Sequence, residues 1–361
     1  MIWYFAIASF PMFLSLCIKN CNNNVRNKKI YLTICGLIVF LFLALRNKSL
    51  GSTDTVNYYT YFDYAIDCKS WSQFYSYEGA KSIGLLGFKS TEFGFQFFVF
   101  ALSRIFKDPQ WIIVFSAAIC VFSYVHFIYK NSDNPSLSMT MFICLGLMQF
   151  EMQAMRQVIA MSICLFSFEL VKKRKLILFV LLIFLASQFH QTAIVFGIVY
   201  LFNYLKMSIK SILLTALISL VLLLFSSPLV KFANDYFGMN YYNSVERGGY
   251  IATAIYILTV VFLLVFSKKP YKEHVDPRLF YMLIIGFVFY LIRYTGAQAS
   301  ERISYYFMFS QTILLPNVIS KGNLIQKEKA IMNGVVFMLS VLLFMYRLLG
   351  SNFLPYRFFW G

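Results

Sequence analysis

The chain has 361 residues, 60% of them hydrophobic and 19% aromatic, with only 13% charged and a mean hydropathy of +0.67. A soluble domain carries about 25% charged residues, so the composition excludes a soluble globular protein, a disordered chain and a disulfide scaffold. The net charge of +17 comes from 32 Lys and Arg against 15 Asp and Glu; membrane proteins collect such bases in their inner loops, so no nucleic-acid partner is expected.

A spanning helix needs about 20 apolar residues. Apolar runs predict spans near 2–18, 30–45, 92–106, 110–129, 155–171, 175–190, 192–205, 209–226, 250–267, 279–295, 303–319 and 330–348. The runs are long and do not alternate, which excludes barrel strands. The expected fold is therefore all-α, a polytopic transmembrane helical bundle forming one integral membrane domain over 1–361. No base precedes the first run, and Lys19, Arg26, Lys28 and Lys29 follow it, so an uncleaved span with its N-terminus outside is expected.

Residues 137–150 are apolar but short. Counted as a full crossing, they would put Lys172, Lys173, Arg174 and Lys175 outside, so this stretch is expected to be re-entrant from the outer face. The inner loops then hold 19 bases, Arg104 and Lys107 among them, and five acids, leaving 13 bases and ten acids outside. The sizeable outer loops are 46–91 and 227–249. The seven cysteines form no evident disulfide framework. No metal-ligand spacing, phosphate loop or dinucleotide fingerprint occurs, and neither metal nor cofactor is expected.

The remaining ionisable residues gather at outer helix ends. Arg46 opens RNKSLGSTDTVNYYTYF, which carries Asp54, Tyr58 and Tyr59; Glu92 opens EFGFQFF; Arg156 opens MRQVIAMS; His190 closes a run ending in FHQTA; Arg293 closes LIIGFVFYLIRYTG; Glu301 and Arg302 open SERISYYF. Charges at a membrane edge are costly and point to function by default. Each also has a plainer reading. Arg46 and Arg293 would serve as interface anchors, Asp54 as a helix cap, Glu92 as a dipole partner, His190 as a satisfied buried histidine, and Glu301–Arg302 as a structural pair. Arg156 stands out because Glu151, Gln153 and Gln157 surround it in an apolar run. Four arginines with carboxylates and a histidine suit an anionic substrate, since arginine binds diphosphate in bidentate fashion. A carboxylate or imidazole beside them can accept a hydroxyl proton.

At these residues the chain resembles the EpsG/Wzy-type bacterial polysaccharide polymerases of O-antigen and exopolysaccharide biosynthesis. The ordered pieces are Arg46 with GSTDTVNYY, EFGF at Glu92, MRQVIAMS at Arg156, FHQTA at His190 and ER..YYF at Arg302, over roughly residues 40–310. The resemblance implies a metal-independent glycosyltransferase of the broad GT-C class in the bacterial cytoplasmic membrane, with its site facing outside. Its substrates would be undecaprenyl-diphosphate-linked oligosaccharides, as donor and acceptor, and its partners membrane lipids and a chain-length regulator. Carried onto this sequence, Arg46, Arg156, Arg293 and Arg302 would hold diphosphate, with Gln157 and Glu301 in support. Asp54 or Glu92 would serve as base, with His190 next. Tyr58, Tyr59, Tyr305 and Tyr306 would face sugars, or else form an interfacial aromatic belt. The rival functions are a lipid-linked glycan flippase or transporter, and an O-antigen ligase.

Overall fold

A computed structural model of the chain describes residues 1–18, 21–22, 24–51, 53–75, 92–226, 228, 250–266, 275–295, 298–322, 324–349 and 351–360. The expected loop 227–249, Pro228 apart, and residues 76–91 of the loop 46–91 lie outside the described residues. Among the described residues the chain is helical, and its one strand-like pairing is an isolated bridge between Arg46 and Phe358. In chain order the helices are α1 (Ile2–Cys17), α2 (Val25–Ala44), α3 (Thr53–Asp67), α4 (Trp71–Phe74), α5 (Phe93–Ile105), α6 (Gln110–Asn131), α7 (Pro135–Cys144) and α8 (Leu147–Glu151). Then come α9 (Met155–Lys172), α10 (Leu176–Ser187), a 3₁₀ helix (Gln191–Tyr204), α11 (Ile209–Leu224), α12 (Tyr250–Phe266), α13 (Pro277–Ile292), α14 (Gln298–Met308), α15 (Gln311–Lys321) and α16 (Gln326–Leu348). Three of them, α2, α6 and α16, are long and apolar enough to cross a membrane, and the other apolar helices are shorter.

The bundle has two chemically distinct ends. At one, Lys28 Nζ donates to the Ser132 carbonyl at 2.5 Å and Lys172 Nζ to Asn131 Oδ1 at 2.9 Å. There too Lys321 pairs with Asp133 at 3.0 Å, and Tyr200 and Asn203 reach the carbonyls of Arg174 and Val171. This is the basic end. At the other end the bridge at Arg46 ties the head of α2 to the segment 351–360, with Asn47 N donating to Arg357 O and Phe359 N to Leu45 O, both at 2.9 Å. Tyr4 and Tyr356 hydroxyls close the same seam on the carbonyls of Phe353 and Phe42.

Two sequence expectations are corrected here. The 92–106 run does not cross the bundle. Its first residue, Glu92, meets Arg156 and His190. Its far end, Arg104, donates to the carbonyls of Cys68 and Ala65, just beyond and within α3. Tyr59 of α3 bonds Gln110, whose amide donates to the Ala44 and Arg46 carbonyls. Both ends of α5 therefore sit at the Arg46 end, and Arg104, Lys107 and Asp108 belong there rather than with the basic loops. The stretch 137–150 in turn is not re-entrant. It starts from Asn134 beside the basic-end residues Ser132 and Asn333, and ends at Glu151 against Arg46. It crosses as two pieces, α7 and α8, broken at Gly146. The two changes offset each other, so the Lys172–Lys175 cluster keeps its place at the basic end.

Hydropathy alone could not separate the two runs. The apolar side chains of α5 split between a buried face (Phe95, Val99, Leu102) and an exposed one (Phe93, Phe97, Ile105), as in a helix lying along a surface. In α7 every residue is buried. The 3₁₀ geometry of Gln191–Tyr204 also bears on length. At about 2.0 Å per residue it covers about 28 Å, where an α-helix of the same residues would cover about 21 Å.

Candidate active site

Among the described residues three ionic clusters lie at the Arg46 end, and they differ in burial. The first begins with α5. Glu92 is its N-cap, and the next turn is held against the end of α10: Gly94 N donates to Gln188 O at 2.7 Å. A Cβ on Gly94 would stand 2.7 Å from that same oxygen. The glycine of EFGF is thus what lets α5 approach the chain just before His190. As a result Glu92 Oε2 pairs with Arg156 Nη1 at 2.7 Å, and Oε1 lies 3.1 Å from His190 Nδ1. Gln191 N also donates to Oε1 at 3.1 Å. Arg156 Nε donates to the Tyr58 hydroxyl at 3.3 Å.

The electrostatics follow from these contacts. Burial works against the charge of Glu92, but His190 and the Arg156 guanidinium outweigh it and hold its carboxyl below the usual range. Burial pushes the Tyr58 hydroxyl up to about 12 against the pull of Arg156, so it meets that guanidinium as a neutral group. Glu92 accepts from Arg156 and Gln191 and faces His190, so it orients these neighbours. His190, with Nδ1 turned to the carboxylate, keeps Nε2 without a hydrogen bond among the described residues.

The same region extends onto α14. Gln157 Nε2 donates to the Arg302 carbonyl at 2.6 Å, joining α9 to α14. Thr192 Oγ1 donates to the hydroxyl of the buried Tyr306 at 3.3 Å. The Arg302 side chain is exposed and makes no hydrogen bond or ion pair among the described residues. Asp54 lies in the first turn of α3, half-buried, one turn before Tyr58.

The second cluster opens into a cavity of about 590 Å³ lined by Arg293, Glu301, Arg347, Gln149, Gln153 and the rings of Tyr250, Tyr290, Tyr305 and Tyr346, among others. Arg293 Nη1 pairs with Glu301 at 2.8 Å and donates to the Tyr290 hydroxyl at 3.2 Å, so the carboxylate's partner is Arg293. Tyr305 stacks flat on Phe150, 4.1 Å between centroids. Arg347 Nη1 donates to the Leu145 carbonyl at 2.8 Å. It passes over Gly146, whose φ of +94° favours glycine, and a Cβ there, 2.8 Å from Nη1, would make the guanidinium shift. The sequence reading did not single out Arg347. Its signal is an arginine closing an aromatic apolar run (LLFMYRLLG), as Arg293 does in FYLIRYTG.

The third cluster is sealed. Arg46 and Glu151 pair at 2.9 Å with both side chains fully buried. Tyr59, with its hydroxyl on Gln110 and Lys48 over its ring, does not line the cavity. Arg46 is thus placed in the interior, away from any opening. Losing one partner of such a pair strands a buried charge, so Arg46→Leu is expected to destabilise the protein by about 3–5 kcal/mol. Arg46→Leu with Glu151→Leu should recover most of that loss. Thermal unfolding of the detergent-purified variants checks both, and a double variant as unstable as the single one would refute the pairing argument.

A family model described as the EpsG family matches residues 29–358, nearly the whole chain. The chain belongs to the EpsG family. No curated protein and no solved structure matches it. The match begins within α2 and ends in the segment that closes on Arg46, so it takes in all three clusters. An EpsG protein with apolar helices of this kind is membrane-embedded and has a polysaccharide polymerase-like role.

Proposed function

We propose that this EpsG protein is a polysaccharide polymerase that joins oligosaccharide repeat units carried on a lipid diphosphate. The reading rests on the convergence of Glu92, Arg156 and His190 from three helices at the end of the bundle opposite the basic loops. By the positive-inside rule the basic end would face the cytoplasm and the site the outside, with the described helices making twelve alternating passes when α7–α8 and α14–α15 are each counted once. The arrangement would be of the GT-C kind, with undecaprenyl as the natural carrier.

The chemistry needs a base, a clamp for the leaving group and no cofactor. His190 Nε2 takes the proton of a sugar hydroxyl on the acceptor, and the oxygen attacks the anomeric carbon of the donor. The bond from that carbon to the diphosphate breaks, and the lipid diphosphate departs. Arg156 and the exposed Arg302 stabilise the charge that develops on it. Glu92 holds His190 and Arg156 in place, and a chain-length regulator would act on the emerging polymer.

A lipid-linked glycan transporter is the second reading, favoured by the two discontinuous helices broken at Gly146 and at Ser310. Reconstitution with a single lipid-linked repeat unit, without nucleotide or metal, separates the two. A polymer ladder supports polymerase. Movement of the unit between leaflets with no ladder supports transport and refutes our reading.

A further inference from the structure

Beside the arginine cavity runs a second, wholly different opening. It is an apolar groove of about 310 Å³ between α7, α12, α15 and α16, lined by Met141, Leu258, Phe262, Leu315 and Leu339, among others. It meets the arginine cavity at Leu343, which lines both. α12 does the same from the other side, with Tyr250 and Ile251 in the cavity and Ile255 and Leu258 in the groove. Along α16 the groove extends from Ile331 to Leu343, about 18 Å of helix, which is more than one leaflet of a ~30 Å hydrocarbon core. Leu258, Ile331 and Leu339 are each more than half exposed, so the groove is open along its length to the surroundings of the bundle. Arg347 stands one helical turn above Leu343, at the point where apolar lining gives way to polar.

We infer that groove and cavity together form the seat of the acceptor's lipid-diphosphate-linked chain, with its isoprenoid tail in the groove and its diphosphate at Arg347 and Arg293, while the donor's departing diphosphate stays with Arg156 and Arg302. The inference deepens the polymerase reading and rests on it for the identity of the head group. The observations select this occupant over a bilayer phospholipid. Two guanidiniums at the head of the groove suit two adjacent phosphates, and arginine offers forked donors to each. The cavity beyond them presents tyrosine rings and two glutamines, groups that stack on and hydrogen-bond sugars and that a phospholipid head would leave idle. Among the described residues the Arg347 guanidinium has only the Leu145 carbonyl as a hydrogen-bond partner, which leaves it donors to offer a ligand.

The test measures binding to the purified protein, with no sugar present, of undecaprenyl diphosphate, isopentenyl diphosphate and phosphatidylglycerol. The variants are Leu258→Trp with Leu339→Trp, both at exposed positions whose change leaves the core intact, and Arg347→Gln. Filling the groove is expected to weaken undecaprenyl diphosphate at least about tenfold, near 1.4 kcal/mol, while isopentenyl diphosphate binds as before. Arg347→Gln is expected to weaken both diphosphates. Unchanged undecaprenyl diphosphate binding in the tryptophan variant would overturn the inference. So would an equal loss of phosphatidylglycerol, which would make the groove an ordinary bilayer-lipid seat. A protein that makes no polymer in the reconstituted assay, yet shows this dependence on tail length, would remove the polymerase reading and keep the groove.

Discussion

Arg156→Ala is expected to stop polymer formation while the protein still folds and reaches the membrane. The guanidinium performs two tasks at once: Nη1 neutralises Glu92 and Nε is anchored on Tyr58. Its remaining donors are those we assign to the departing diphosphate. Removing one preorganised donor from a transition state typically costs about 10²–10³ in rate, and here the loss also leaves Glu92, 8% exposed, without its strongest partner. Arg156→Lys should fail nearly as badly, because a single ammonium on a flexible stem cannot hold the Tyr58 and Glu92 contacts in the arginine's fork geometry. Ladder formation by the purified variants, with thermal unfolding run in parallel, measures both. A lysine variant close to the parent in rate would defeat the two-contact argument, and normal chain length in the alanine variant would defeat the clamp.

His190→Ala carries the second large effect, a fall of about 10²–10⁴ in turnover if the imidazole is the general base. Glu92→Gln should fall less far, because the amide keeps the shape of the carboxylate but loses its charge toward Arg156 and His190. The comparison that decides the base is with Asp54→Asn. Asp54 sits one turn from Tyr58 and makes no hydrogen bond or ion pair with His190 or Arg156 among the described residues, so its variant is expected to keep most of the activity. If Asp54→Asn loses more turnover than His190→Ala, the base moves to α3 and Glu92–His190 becomes a purely positioning pair.

How much of this was legible in the sequence depends on the range of the interaction concerned. Helical class and the gathering of bases at one end follow from composition and charge placement, which are local. That Arg156 and His190 stand at one end follows from each opening its own crossing helix, whereas Glu92 joins them through α5, which lies along that end. Crossing and surface-lying helices were confused because 92–106 and 137–150 have similar length and hydropathy, and what separates them is the partner each face meets. The arginines illustrate the same limit. Arg46 and Arg293 both close an apolar run, yet Arg46 meets Glu151 in a sealed interior and Arg293 meets Glu301 in an open cavity. The partner of Arg46 lies more than a hundred residues away, and no spacing rule reaches that far. Arg347 escaped notice for a related reason. Its importance comes from the Leu145 carbonyl it reaches at the break between α7 and α8, and from a groove that exists only once α12 and α16 are brought together.

The seam at the Arg46 end has a consequence for how the protein is made. Asn47 bonds Phe358 across 311 positions of sequence, and Tyr4 bonds Phe353 across 349. Contacts of such separation form late, because the chain between them must already be in place. During synthesis, helices α1 and α2 therefore wait in the bilayer with Arg46 short of its final enclosure until residues 351–360 have emerged and folded back. A nascent chain stalled before Glu151 carries Arg46 without its carboxylate, and one stalled before 351–360 lacks the backbone pairing that closes beside that ion pair. Ribosome-stalled or truncated products lacking this segment would accordingly stand out to membrane quality control, even though every helix of the bundle had already been inserted.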